Sequence, residues 1–123
     1  MSPKKQSEIT NPELIGLIQL LKKKSRENEA AIWRDVAMHL SKPKRERIAV
    51  NVSQINRYTK ENEDVVVPGK VLGAGTIEHP VKVAALDFSE QARSKILGVK
   101  GKCLSITDLI KLNPKGASVK IIR

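Results

Sequence analysis

The chain has 123 residues, with 23 Lys and Arg against 13 Asp and Glu, for a net charge of +10. That length fits one domain, and a hydrophobic content of 40% excludes a wholly disordered basic tail. The single cysteine, Cys103, excludes an internal disulfide or a multi-cysteine zinc site, and no apolar run approaches the roughly 20 residues a membrane span needs.

Residues 1–9 read as a basic N-terminal arm carrying Lys4 and Lys5, with no signal-peptide hydrophobic region. Residues 10–123 are expected to form a single domain. Thr10 or Asn11 can cap a first helix, with Pro12 in its first turn and Glu13 complementing the positive dipole end. Leu14, Ile15, Leu17, Ile18 and Leu21 form its apolar stripe. Lys22, Lys23, Lys24 and Arg26 crowd its end, where cations serve the helix dipole as readily as they would serve RNA. A second helix is predicted from about Ala30 to Leu40, with Ile32, Trp33, Val36, Ala37 and Leu40 on one face and Trp33 as a core anchor.

Pro43 breaks that helix, so Lys42-Pro-Lys-Arg-Glu-Arg47 lies on a loop. Alternation over Ile48 to Ile55 reads as a strand, with Arg57 and Tyr58 just beyond it. Residues 61–64 are acidic and begin a turn. The run Val65-Val66-Val67 is predicted to stop at a turn forced by Pro68-Gly69. Val71-Leu72 then sits in a short, tightly turned segment between glycines. Val81 to Leu86 reads as a strand, and Ser89 caps a helix that Gly98 stops. Lys100-Gly101-Lys102 makes a basic turn, and Cys103 falls in an apolar run as a core thiol. Ser105 to Asp108 resembles a capping box, opening a helix that ends before Asn113-Pro114. Val119 to Ile122 is the last strand. Two amphipathic helices followed by short mixed strands and helices define a compact, irregular α/β fold.

The charge is concentrated. Residues 1–41 are net +2, 42–60 net +5, 61–89 net −3 and 90–123 net +6. Basic blocks on loops suit phosphate, whose neutralisation releases counterions and makes affinity fall with salt. Arg45, Arg47 and Arg57 are placed to grip phosphates through their planar, many-donor guanidinium groups. Lys42, Lys44, Lys70, Arg93, Lys100 and Lys102 would add charge, and Asn51 and Ser53, with Asn56, could supply neutral hydrogen bonds. Folded RNA is read largely by shape, phosphates and 2′-hydroxyls, which suits such a surface. Trp33, Tyr58 and Phe88 are the only aromatics, too few for a platform stacking successive single-stranded bases.

Other chemistries lack support. Gly69-Lys70-Val71-Leu72-Gly73-Ala74-Gly75 has neither the phosphate-loop ending nor the dinucleotide spacing of glycines. His39 and His79 lack metal-ligand spacing; His39 reads as a surface partner of a helix dipole and His79 as a turn residue. Glu61, Glu63 and Asp64 form a solvated turn rather than an acid–base pair. No metal, cofactor or catalytic site is expected. A helix-turn-helix made from the first two helices would join them through Glu27 and Glu29 and offer few base-reading side chains.

Several segments, taken in order, resemble a known family. They are Asn11-Pro12-Glu13, Ile32-Trp33-Arg34-Asp35-Val36-Ala37, Pro43-Lys44-Arg45, Ala49-Val50-Asn51-Val52-Ser53, Ile55-Asn56-Arg57, Val67 through Gly75, and Ala84-Ala85-Leu86-Asp87-Phe88-Ser89. The chain resembles, over nearly its full length, the archaeal and eukaryotic large-subunit ribosomal protein eighteen-e family, which is related to bacterial large-subunit ribosomal protein fifteen. The resemblance implies an irregular superhelix of short β and α units. It implies a non-enzymatic, cytoplasmic constituent of the large ribosomal subunit that binds ribosomal RNA and neighbouring ribosomal proteins, with no membrane or small-molecule partner. It also implies that the turn from Gly69 to Gly75 presents Lys70 and backbone amides to RNA. Ending at Arg123, without the long basic tail of eukaryotic members, points to the archaeal type.

Overall fold

The computed structural model describes residues 12–42 and 48–123. Helix α1 spans Pro12–Asn28 and α2 spans Ala31–Leu40. Strand β1 (Ile48–Asn51) runs directly into α3 (Val52–Tyr58). Strands β2 (Asp64–Leu72) and β3 (Lys82–Phe88) follow, then α4 (Glu90–Gly98), β4 (Lys102–Ser105), α5 (Ile106–Leu112) and β5 (Val119–Ile121).

All strand pairs are parallel, in the order β1-β2-β3-β4. Strand β5 joins the same side of β2 as β1 but lower down, at Asp64 to Val66, whereas β1 pairs with Gly69 to Leu72. The sheet is covered on both faces, as parallel sheets require. On one face Val65, Val67, Val83 and Ala85 meet Ile55 of α3 and Ala92 and Ile96 of α4. On the other, Val66 and Ala84 meet Leu21 of α1, Trp33 and Val36 of α2, and Leu109 of α5. The first two helices therefore serve as one cover of the sheet.

Burial on both faces explains why β2 has an unbroken valine run rather than an alternating one. It also corrects the expected turn at Pro68-Gly69. The strand continues through both residues, and the register shifts between Val67 and Lys70. Pro68 falls in that irregularity, where the missing N–H breaks no regular ladder. Gly69 faces Ile48 so closely that a Cβ would lie 2.0 Å from the Ile48 carbonyl oxygen. What reads as a turn dipeptide is a bulge that admits β1.

The expected strand over Ile48 to Ile55 is half right. It ends at Asn51, whose side chain accepts from the third helical N–H while Gln54 Oε1 accepts from Asn51 N–H at 3.1 Å. This reciprocal cap starts α3, and Val52 and Ile55, three apart, become the buried face of a helix. The basic turn expected at Lys100 to Lys102 is cut short, because Lys102 already opens β4. Ser89 and Ser105 cap α4 and α5 as predicted, accepting from Ala92 N–H at 3.1 Å and Asp108 N–H at 3.0 Å.

Trp33 is fully buried, and its indole Nε1–H donates to the Pro114 carbonyl at 2.6 Å. Gly116, at a φ of 65°, lies against Ile32, where a Cβ would come within 2.4 Å. The loop before β5 is thereby held against α2. Cys103 is half-buried in β4, short of the full burial expected; burial pushes its thiol up and Arg93 only partly offsets this.

Candidate nucleic-acid interface

Because the strands are parallel, the sheet has two chemically distinct ends. The carboxyl end gathers the loop after β2 and the starts of α3 and α4. Asn51 Oδ1 accepts from Ala74 N–H at 3.3 Å, and Ser53 N–H donates to the Ala74 carbonyl at 3.3 Å. Lys95 of α4 reaches back to donate to the carbonyls of Gly73 at 2.7 Å and Gly75 at 2.6 Å. Gly75 has a φ of 84° and lies against Ser53, where a Cβ would approach to 2.4 Å. The glycine-rich segment is thus a stapled loop.

Cations at this end already have partners. Lys70 lies on β2, not in a turn, and pairs with Asp87 at 3.8 Å. Both side chains are exposed, so the pair contributes little and can exchange partners. The Arg93 guanidinium sits 5.2 Å from the centre of the Phe88 ring.

The amino end differs. Backbone bonds draw three loops together there: Asn62 N–H donates to the Pro80 carbonyl at 2.7 Å, and Lys102 N–H to the Val81 carbonyl at 2.9 Å. His79 and Thr59 add a side-chain link. Thr59 Oγ1 donates its only hydrogen to the Ile55 carbonyl at 2.6 Å, so the His79 ring must donate to that oxygen, 2.8 Å away. Lys82 and Lys102 stand directly opposite each other on β3 and β4. Lys100 stands at a φ of 67° two residues before Lys102. All three are exposed, and among the described residues none has a carboxylate within 4.0 Å. Like charges placed opposite each other on a sheet repel, so Lys82 and Lys102 work against each other electrostatically. The acids of this end stand on the β2 side: Glu63 is paired with Lys120 at 3.1 Å, and Asp64 stands opposite Lys82 in the register.

Glu63 is held below the usual carboxylate range, first by the Lys60 N–H at 2.6 Å and then by Lys120. His39 is half-buried, and burial lowers its pKa, helped by Arg123 and Lys42 against an opposing pull from Asp35. His39 lies in the last turn of α2, at the helix end where the sequence places it.

Of the thirteen residues singled out in the sequence, Lys4, Lys5, Lys44, Arg45 and Arg47 lie outside the described residues. Asn51, Ser53, Lys70 and Arg93 come together at the carboxyl end, while Lys100 and Lys102 come together at the amino end. Lys42 is exposed beyond α2, and Arg57 is exposed in the last turn of α3. Sequence reasoning missed Lys82, since its place beside Lys102 depends on strand register; only its position at the head of a predicted strand hinted at it. The pair α1 and α2 makes a poor DNA reader: Trp33, Val36, Ala37 and Leu40 of α2 are buried against the sheet.

The whole chain, residues 1–123, matches the family described as "Ribosomal protein 60S L18 and 50S L18e". It is 54% identical over 116 residues to the large ribosomal subunit protein eL18 of Methanoregula boonei, covering 94% of this chain and 96% of that one. It is 54% identical over 113 residues to the eL18 of Archaeoglobus fulgidus, covering 92% and 97%. With the eL18 of Methanospirillum hungatei it shares 51% identity over 119 residues, covering 97% and 98%.

Proposed function

The chain belongs to the family of ribosomal proteins 60S L18 and 50S L18e, and from that premise we propose how it works as a structural constituent of the large ribosomal subunit. It resides there in the cytoplasm, binds folded large-subunit ribosomal RNA, lies among other ribosomal proteins and supports translation. It acts without catalysis and without a small-molecule substrate. Kinship with bacterial large-subunit protein fifteen belongs to the same reading and rests on the sequence resemblance alone.

The mechanism is charge neutralisation on a rigid scaffold. The observation that carries it is the row Lys82, Lys102 and Lys100, exposed and, among the described residues, without a carboxylate within 4.0 Å, with Asp64 the one acid beside it in the register. Lys82 and Lys102, fixed by strand register, with Lys100 in the turn before β4, present their charges at a set spacing, so an RNA surface of matching phosphate positions binds with little ordering cost. Arg57 and Lys42 extend the cationic surface, and Lys70 and Arg93 serve as reserve contacts whose weak internal pairs can exchange for phosphate. The arm at 1–9, with Lys4 and Lys5, and the loop carrying Lys44, Arg45 and Arg47 contribute further phosphate contacts around a single RNA-binding domain, residues 10–123. Neutral bonds from Asn51 and Ser53 complete the carboxyl-end surface.

Sedimentation tests the reading. The native protein should travel with large subunits at moderate salt and leave them as salt rises. Recovery solely in RNA-free fractions at every salt concentration would contradict it.

A further inference from the structure

Across β2 from the lysine row, α3 and β5 border an open cleft of about 630 Å³ lined by Gln54, Tyr58, Lys120, Ile121, Ile122 and Arg123. Its size falls within the roughly 300–1,000 Å³ of ligand-holding clefts. Tyr58 is 57% exposed, whereas Trp33 is wholly buried and Phe88 is half-covered under Arg93. No other aromatic side chain is offered to solvent to this degree, and the fold derives no core packing from it.

The wall around Tyr58 is fixed. Lys120 Nζ donates to the Tyr58 carbonyl at 3.0 Å and to Glu63 Oε1 at 3.1 Å. This pins the α3 terminus to β5, and it leaves Lys120 largely neutralised by Glu63. The charge left to the cleft is then that of Arg123, exposed at its rim. An aromatic face, an amide side chain, apolar flooring from Ile121 and Ile122, and a peripheral guanidinium fit a base with its attached phosphate.

We propose that this cleft receives one unpaired nucleotide of large-subunit ribosomal RNA, its base stacked on Tyr58 and its phosphate held by Arg123. One exposed ring is too little for the platform that tracks successive bases, but it is enough for a single splayed base. The assignment rests on the proposed RNA-binding function and adds a discrete site to it. The lysine row reads the backbone through charge alone, whereas the base stacked on Tyr58 adds a contact that salt barely weakens.

Filter binding of the full chain to deproteinised large-subunit ribosomal RNA, at several salt concentrations, tests it. Tyr58→Ala should weaken binding about ten- to hundredfold without changing the salt slope, and Tyr58→Phe should restore it. Arg123→Ala should make the slope of log affinity against log salt shallower by about one. Circular dichroism should show all three folded as the unsubstituted chain. Unchanged affinity in Tyr58→Ala, with binding still lost in a Lys82, Lys100 and Lys102 triple alanine variant, overturns the cleft and leaves the RNA-binding function standing. Failure of the unsubstituted chain to bind overturns both. A photoactivatable phenylalanine at position 58, irradiated in assembled subunits, should yield an RNA adduct; an adduct with a neighbouring protein overturns the assignment.

Discussion

The two ends of the sheet hold comparable numbers of cations and use them in opposite ways. At the carboxyl end Lys95 holds two glycine carbonyls, Lys70 faces Asp87 and Arg93 covers Phe88. At the amino end Lys82, Lys100 and Lys102 have no carboxylate within 4.0 Å among the described residues, although Asp64 neighbours Lys82 in the register. A basic residue is therefore a poor guide to RNA contact by itself. What discriminates is whether the fold already supplies its counter-charge.

Alanine at Lys82, Lys100 and Lys102 together should sharpen this contrast most. Three lost phosphate contacts reduce the salt slope by about two to three, and each unit of slope is a factor of ten at 0.1 M salt relative to 1 M. Affinity for ribosomal RNA at about 0.1 M salt should then fall at least about a hundredfold. Thermal stability should hold or rise slightly, since the opposed lysines no longer repel.

The carboxyl end should respond the other way round. Gly75→Ala places a side chain at a φ of 84° and against Ser53, so chemical denaturation should show a loss of about 2 kcal/mol. Lys95→Met keeps the stem but removes both donors to the loop, costing about 1 kcal/mol because the site is partly solvated. Neither should alter the salt slope of RNA binding. If Lys95→Met were neutral in stability but weakened RNA binding, the contrast between the two ends would collapse.

The smallest effect concerns pH. Glu63 titrates below its ordinary 4.5 in the fold, so its contribution is complete above that value and is lost as pH falls through the lowered one. Glu63→Gln should make the melting temperature less sensitive to acid, with little change at neutral pH. Unchanged acid sensitivity in that variant would remove Glu63 from the account of this end.

Local signals carried much of the fold. Caps at Ser89 and Ser105, the helical stripes and the Trp33 anchor are all written in short stretches of sequence. Pro68-Gly69 and Val52 to Ile55 mislead for different reasons, the first a contact distant in sequence and the second a local cap. The bulge at Gly69 exists because β1 arrives beside it, and the switch from strand to helix at Asn51 depends on a reciprocal cap that alternation conceals. The site was legible only as charge. Lys100 and Lys102 stand out in the sequence, but their pairing with Lys82 is set by register between β3 and β4. Asn51, which looks available in sequence, instead helps Lys95 hold the glycine loop in place.

The most direct test compares lysine acetylation, residue by residue, in the free chain and in native large subunits. Lys82, Lys100 and Lys102 should react readily in the free chain and be protected in the particle, with Lys95 slow in both. If those three stay fully reactive in the assembled subunit, the row faces water rather than phosphate, and the account of this interface is wrong.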